Sequence, residues 1–305
     1  MGSVIFSVHF SASGFLPVQA LLESKRIEAG VAAFHLIVTE VSSDGEPGRN
    51  ANLHPAANLA AKEQISLAMG NAAREAVRLA DFIEQMLVGM LAVLKTDDRA
   101  LAAKLRSMDD VVDSLYTSIK LYLTQVSRKA LDDREGRRWG DIVSFTINME
   151  QVGDIIERVV TDLEEKKIEK HRSFSEAGMQ EICDLHGRLL ANLRLGMSVF
   201  LHGDLASAQR LLAEKVLFRD LERAYAESHI ERLTSNTVQS IETSSLHLDL
   251  ISDLKRINSH ICSIAYPILE QAGVLARTRL KEAVDSEEDA DAGGGPRFPA
   301  AARHR

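Results

Sequence analysis

The six prolines of this 305-residue chain (Pro17, Pro47, Pro55, Pro267, Pro296 and Pro299) all lie outside residues 56–266. At the usual frequency of about 5 %, a stretch of that length would hold about ten. Proline removes a backbone donor and clashes with the preceding turn, so it is expelled from helix interiors. A proline-free run this long, rich in Ala, Leu, Glu, Arg and Lys, predicts an all-α protein. The apolar spacing agrees: Leu101, Leu105, Met108, Val112, Leu115, Ile119 and Leu123 recur on one helical stripe, as do Ile142, Phe145, Met149, Val152, Ile156, Val159 and Leu163.

Six helices follow from this periodicity, over about 53–94, 99–126, 139–167, 173–201, 205–233 and 238–271. Residues 133–136 read as a turn before the third, and Ser173 with Glu176 as a capping box opening the fourth. The six divide three and three. Placing Asp98 over Asp204 sets Ala102 over Ala208 and Leu105 over Leu211, and at nearly the same offset Asn148 falls on Asp253 and Val152 on Ile257. An internal repeat of this kind implies two pseudo-symmetric antiparallel three-helix bundles. The expected units are an N-terminal extension and linker over 1–52, bundles over 53–170 and 171–284, and a disordered tail over 285–305.

The extension carries Phe6, Phe10, Phe15, Leu16, Leu21 and Leu22, interrupted by His9, Gly14, Pro17 and several serines. It offers neither the ~20 apolar residues of a membrane span nor the basic start of a signal peptide. Its apolar residues are expected to pack on a bundle or touch a membrane or transporter. With 36 Lys+Arg against 44 Asp+Glu, the net charge is −8, which argues against nucleic acid as a partner. Two cysteines, Cys183 and Cys262, exclude a disulfide scaffold and suit the reducing cytoplasm.

Chemistry is most concentrated on the second and third helices. Glu150 and Asp154 are four apart and share a helix face, as do Asp109 and Asp113. Carboxylates paired on two neighbouring helices supply oxygen ligands for a divalent or ferric ion, although acidic pairs also decorate solvated helix faces. Carboxylate-bridged bundle enzymes use Glu-x-x-His, and none of the ten histidines follows a Glu at that spacing. Such a metalloenzyme, or a plain helical scaffold without metal, stands as the alternative. Cys183 and His186 alone make no zinc site. His247 and His260 read as packing or capping residues, and Gly187 and Gly196 as points of close approach.

The segment FTINMEQVGDIIERV (145–159) resembles the signature helix of PhoU-like domains. SIETSSLHLDLISDLKRINSHICSIAYPILE (240–270) and NAAREAVRLADFIEQML (71–87) are similar to the PhoU domain at the C-terminus of bacterial sodium/phosphate cotransporters. The resemblance covers about 56–275, and makes the first fifty residues a remnant of a transport domain. It implies a non-enzymatic regulatory module linked to phosphate transport or signalling, with metal held by Asp109, Asp113, Glu150 and Asp154. It also implies binding to the cytoplasmic face of a membrane phosphate transporter, or to a second copy of the chain, with the protein cytoplasmic or peripheral at the inner membrane face.

The second bundle departs from that pattern. The repeat sets Asp109, Asp113, Glu150 and Asp154 over Lys215, Arg219, Lys255 and Ser259. Ammonium and guanidinium groups cannot ligate a cation, so these four are candidates either for an anion site, such as phosphate, or for charge complementarity with nearby acids.

Overall fold

The computed structural model describes residues 55–127, 131–235 and 238–275; the extension, the remnant assigned to it and the tail lie outside them. The first bundle is built from α1 (Pro55–Thr96), α2 (Arg99–Ser127) and α3 (Asp133–Leu163). The second comprises α4 (Glu176–His202), α5 (Leu205–Thr234), a short α6 (Val238–Glu242), α7 (Ser244–Cys262) and α8 (Ala265–Gln271). Described residues form no strand, and the architecture is the pair of antiparallel three-helix bundles that the repeat implies. The apolar stripes form its core: Val112, Leu115 and Ile119 of α2 close on Met149, Val152 and Ile156 of α3, all buried.

Three boundaries differ from the sequence expectation. α3 starts at Asp133, not Trp139, because Asp132 and Glu135 form the capping box: Asp132 Oδ1 accepts from the Arg134 and Glu135 amides, and Glu135 Oε2 accepts from the Asp132 amide. α4 is capped by Ser175, whose Oγ accepts from the Gly178 amide; this register buries Phe174 just ahead of the cap. The last helix is broken into three. Pro267 has no N–H and would clash with the Ser263 carbonyl, so α7 stops at Cys262 and α8 restarts with Pro267 in its first turn.

α3 runs into a π-helical turn at Glu164–Ile168, where the Glu169 amide reaches back to the Glu164 carbonyl at 2.9 Å. That turn buries Lys167 and Ile168, and the Lys167 ammonium pairs with Asp97 at the end of α1.

The bundles meet where α3 packs on α7 and α1 on α4, and polar groups tie this seam. His186 Nε2 bonds the Leu87 carbonyl at 2.8 Å, Arg158 pairs with Asp253 at 2.5 Å, and His260 Nδ1 bonds Asn148 Oδ1 at 3.0 Å. Arg138 of α3 donates to the Phe200 carbonyl of α4 while Phe145 and Phe200 stack, their ring centroids 3.9 Å apart. Gly196 lies against Ile261 and Ile264, whereas Gly187 faces open space. Both cysteines are free thiols.

Candidate metal centre

An i,i+4 pair on a helix projects its two side chains from one face, so antiparallel α2 and α3 can set two acidic pairs against each other. The structure brings Asp109 and Asp113 of α2 together with Asp154 of α3: one carboxylate oxygen from each lies within 4.8 Å of the other two. Among the described residues this is the one group of three or more carboxylates, histidines or cysteines so disposed. Asp113 and Asp154 are exposed, whereas Asp109 is only 7 % exposed.

Glu150, expected to complete the quartet, is half-buried on the preceding turn of α3 and accepts from Gln151 Nε2 at 2.9 Å. Glu157 escaped the sequence reasoning. It lies three residues beyond Asp154 on the same helix side, and its charge acts on both Asp109 and Asp154. The i+3 spacing is the signal that could have found it.

The electrostatics suit a cation. Burial, and then the charges of Asp113, Glu157, Asp154 and Asp110, push the Asp109 carboxyl up to about 7. Asp154 is also raised, by burial and then by Glu150, Asp113 and Glu157. Clustered carboxylates resist ionising together, and a bound cation relieves that cost. Asp109 Oδ1 is buried without a hydrogen-bond partner, a state few buried polar atoms hold. An all-carboxylate donor set fits hard ions such as Mg²⁺, Mn²⁺ or Fe³⁺.

The corresponding residues of the second bundle have partners of another kind. Lys215 Nζ donates to the Tyr266 hydroxyl at 3.0 Å, Arg219 pairs with Asp220 at 3.1 Å, and Lys255 pairs with Glu222 at 2.8 Å. Ser259 donates to the Lys255 carbonyl. Arg219 and Lys255 thus each have an acidic partner, and Lys215 a neutral hydroxyl.

A buried polar cluster there was not legible in the sequence. Arg232 forks onto Glu181 with two 2.7 Å bonds, and His247 Nε2 lies 3.3 Å from Glu181 Oε2. His229 stacks on His247 at 4.6 Å and bonds Ser244 Oγ. These groups come from α4, α5 and α7, so no local motif joins them.

The PhoU domain family model matches the chain twice, over residues 76–163 and 182–268. Those two segments are the two bundles, displaced by the offset that superposes Asp98 on Asp204. The chain belongs to the PhoU family.

Over 227 residues the chain is 45 % identical to a Salmonella typhimurium protein named "Putative inorganic phosphate export protein YjbB", an alignment spanning 74 % of this chain and 42 % of that protein. The Escherichia coli K12 protein of the same name is 43 % identical over the same shares. The chain thus spans less than half the length of these curated relatives. Among solved structures, PhoU from Pseudomonas aeruginosa aligns at TM-score 0.60 with 15 % identity, over 67 % of this chain and 96 % of its own. The phosphate transport system regulatory protein PhoU from Streptococcus pneumoniae aligns at 0.60 with 16 % identity, over 70 % and 100 %. These two likenesses show the fold.

Proposed function

We propose that the chain is a metal-binding PhoU-type regulatory module of phosphate transport, acting on the cytoplasmic face of a membrane phosphate transporter. The convergence of Asp109, Asp113 and Asp154 on one point, with Asp109 Oδ1 buried and unpartnered, carries the metal reading. The transport reading draws on the family, on the phosphate export named for the relatives, and on the likeness of residues 240–270 to the cotransporters' PhoU domain. Among the described residues no helix is long and apolar enough to cross a membrane, so these bundles are read as the regulatory part and not as the conduit.

In this reading the acidic triad holds a divalent or ferric ion at the α2–α3 seam. The ion supplies positive charge that neutralises the triad. Asp109 anchors from inside, Asp113 and Asp154 close from the solvent side, and Glu150 and Glu157 add negative field along α3. Holding α2 to α3 in this way couples occupancy to the packing of α3 on α7, and hence to the relation between the bundles.

The test uses metal-stripped full chain. Mn²⁺ at about a hundred times its Kd should add about 2.7 kcal/mol of stability by mass action, read as a rise in melting temperature. Asp113→Asn/Asp154→Asn should abolish the rise, and Lys255→Ala should keep it. An unchanged response in the double variant places the ion elsewhere. For the transport half, inorganic phosphate efflux from cells should change when the chain is co-expressed with a phosphate transporter; no change refutes it.

A further inference from the structure

α3 carries a glycine, Gly153, where it faces the acidic pair of α2. A glycine inside a helix is destabilising by roughly 0.5–1 kcal/mol relative to alanine, and Gly153 does not have the positive φ that marks Gly203 and Gly273. Its backbone conformation therefore does not demand glycine. The space beside it does.

A Cβ at residue 153 would fall 2.8 Å from Asp109 Oδ1, closer than real Cβ atoms approach, whereas Ile83 Cδ1 and Val112 Cγ1 would lie at an ordinary 3.4 Å. The conflict is thus with the Asp109 carboxylate and not with the apolar packing. The oxygen involved is the one buried without a partner. At Gly140, in the same helix, a Cβ would meet nothing within 4 Å. In the second bundle the repeat puts Asn258 at the place of Gly153 and Lys215 at the place of Asp109; Asn258 is buried and accepts from Asn192 Nδ2 at 2.9 Å. A side chain therefore fills the second bundle where the first leaves room.

We infer that Gly153 is a positioning residue of the metal centre: the notch it leaves in α3 lets Asp109 turn an oxygen into the seam, towards Asp113 and Asp154. This inference rests on the cation reading above. With a methyl group in the notch, the Asp109 carboxylate must swing away from the other two, and the site loses its inner ligand while the bundle keeps its core. Gly153 touches no ion itself. It acts by positioning Asp109.

The experiment is a calorimetric Mn²⁺ titration of metal-stripped full chain: wild type, Gly153→Ala, Gly140→Ala, Asp109→Asn and Gly153→Ala/Asp109→Asn. Gly140→Ala, which makes the same helix-propensity change, should bind as wild type does. Gly153→Ala should bind at least tenfold more weakly, and the double variant no more weakly than Asp109→Asn alone. Wild-type affinity in Gly153→Ala, or additive losses in the double variant, overturns the inference while leaving the cation reading intact. Absence of Mn²⁺ binding by wild type overturns both. Should Gly153→Ala lower the metal-free melting temperature, Gly153→Ala/Asp109→Ala should restore it. No restoration means the clash is not with that carboxylate and also overturns the inference.

Discussion

Acid should loosen the second bundle through His247. This side chain is 1 % exposed, lies 3.3 Å from Glu181 Oε2, stacks on His229, and shares Glu181 with Arg232. Burial first, and then the positive influence of His229 and Arg232 against the opposing pull of Glu181, lowers its pKa from 6.5 to about 4. A histidine with a depressed folded pKa stays neutral where the unfolded chain takes up a proton, so acid favours the unfolded state. Its stability contribution is intact above pH 6.5 and lost as the pH falls towards 4.

The difference of about 2.5 units corresponds to about 3 kcal/mol at about 1.4 kcal/mol per unit, with about 2 kcal/mol already gone by about pH 5. Urea unfolding followed by circular dichroism at 222 nm, from pH 7.5 to pH 4, should show this loss. His247→Phe keeps an aromatic ring against His229 and removes the titration, so its stability curve should be flatter by that amount. Carboxylates and histidines outside this cluster titrate in both proteins and cancel in the comparison. Parallel curves for wild type and His247→Phe would refute the reasoning.

Asp109→Asn should stabilise the metal-free protein at about pH 8 by about 2–4 kcal/mol, because a carboxyl whose pKa is raised from 3.8 to about 7 costs stability as the pH climbs through that interval; the lower figure allows for screening by solvent at exposed Asp113 and Asp154. Chemical denaturation in chelator checks this, and equal stabilities at pH 8 would count against it. Asp97→Ala should cost about 3 kcal/mol by leaving the Lys167 ammonium buried without its partner, whereas Lys167→Met should cost less than about 1 kcal/mol; equal losses in thermal denaturation would contradict this. A chain beginning at residue 53 should keep the helical circular dichroism of the full chain, and its failure to fold would move the domain boundary.

Much of this protein is written in local pattern. The proline-free run and the 3.6-residue apolar spacing determine that the chain is helical, because both act through the backbone of a few neighbouring residues. The three-plus-three repeat determines the pair of bundles, because each amphipathic helix must bury one stripe and the nearest partners are the helices joined to it by short turns. The i,i+4 pairs at Asp109/Asp113 and Glu150/Asp154 were visible for the same reason.

What the tertiary structure decided depends on contacts between helices. It selected Asp154 over Glu150 as the α3 member of the triad, since the register of α3 against α2 fixes which carboxylate reaches Asp109. It turned Gly153 from a weak point of a helix into the space beside Asp109 Oδ1, a relation between residues on two elements that no spacing encodes. It set Lys215 beside the Tyr266 hydroxyl, Arg219 beside Asp220 and Lys255 beside Glu222. And it assembled Glu181, His229, Arg232 and His247 from three helices into one buried cluster. Local geometry is legible in a sequence because it repeats with the helix; the meeting of side chains across a seam is set by packing, which only the folded chain resolves.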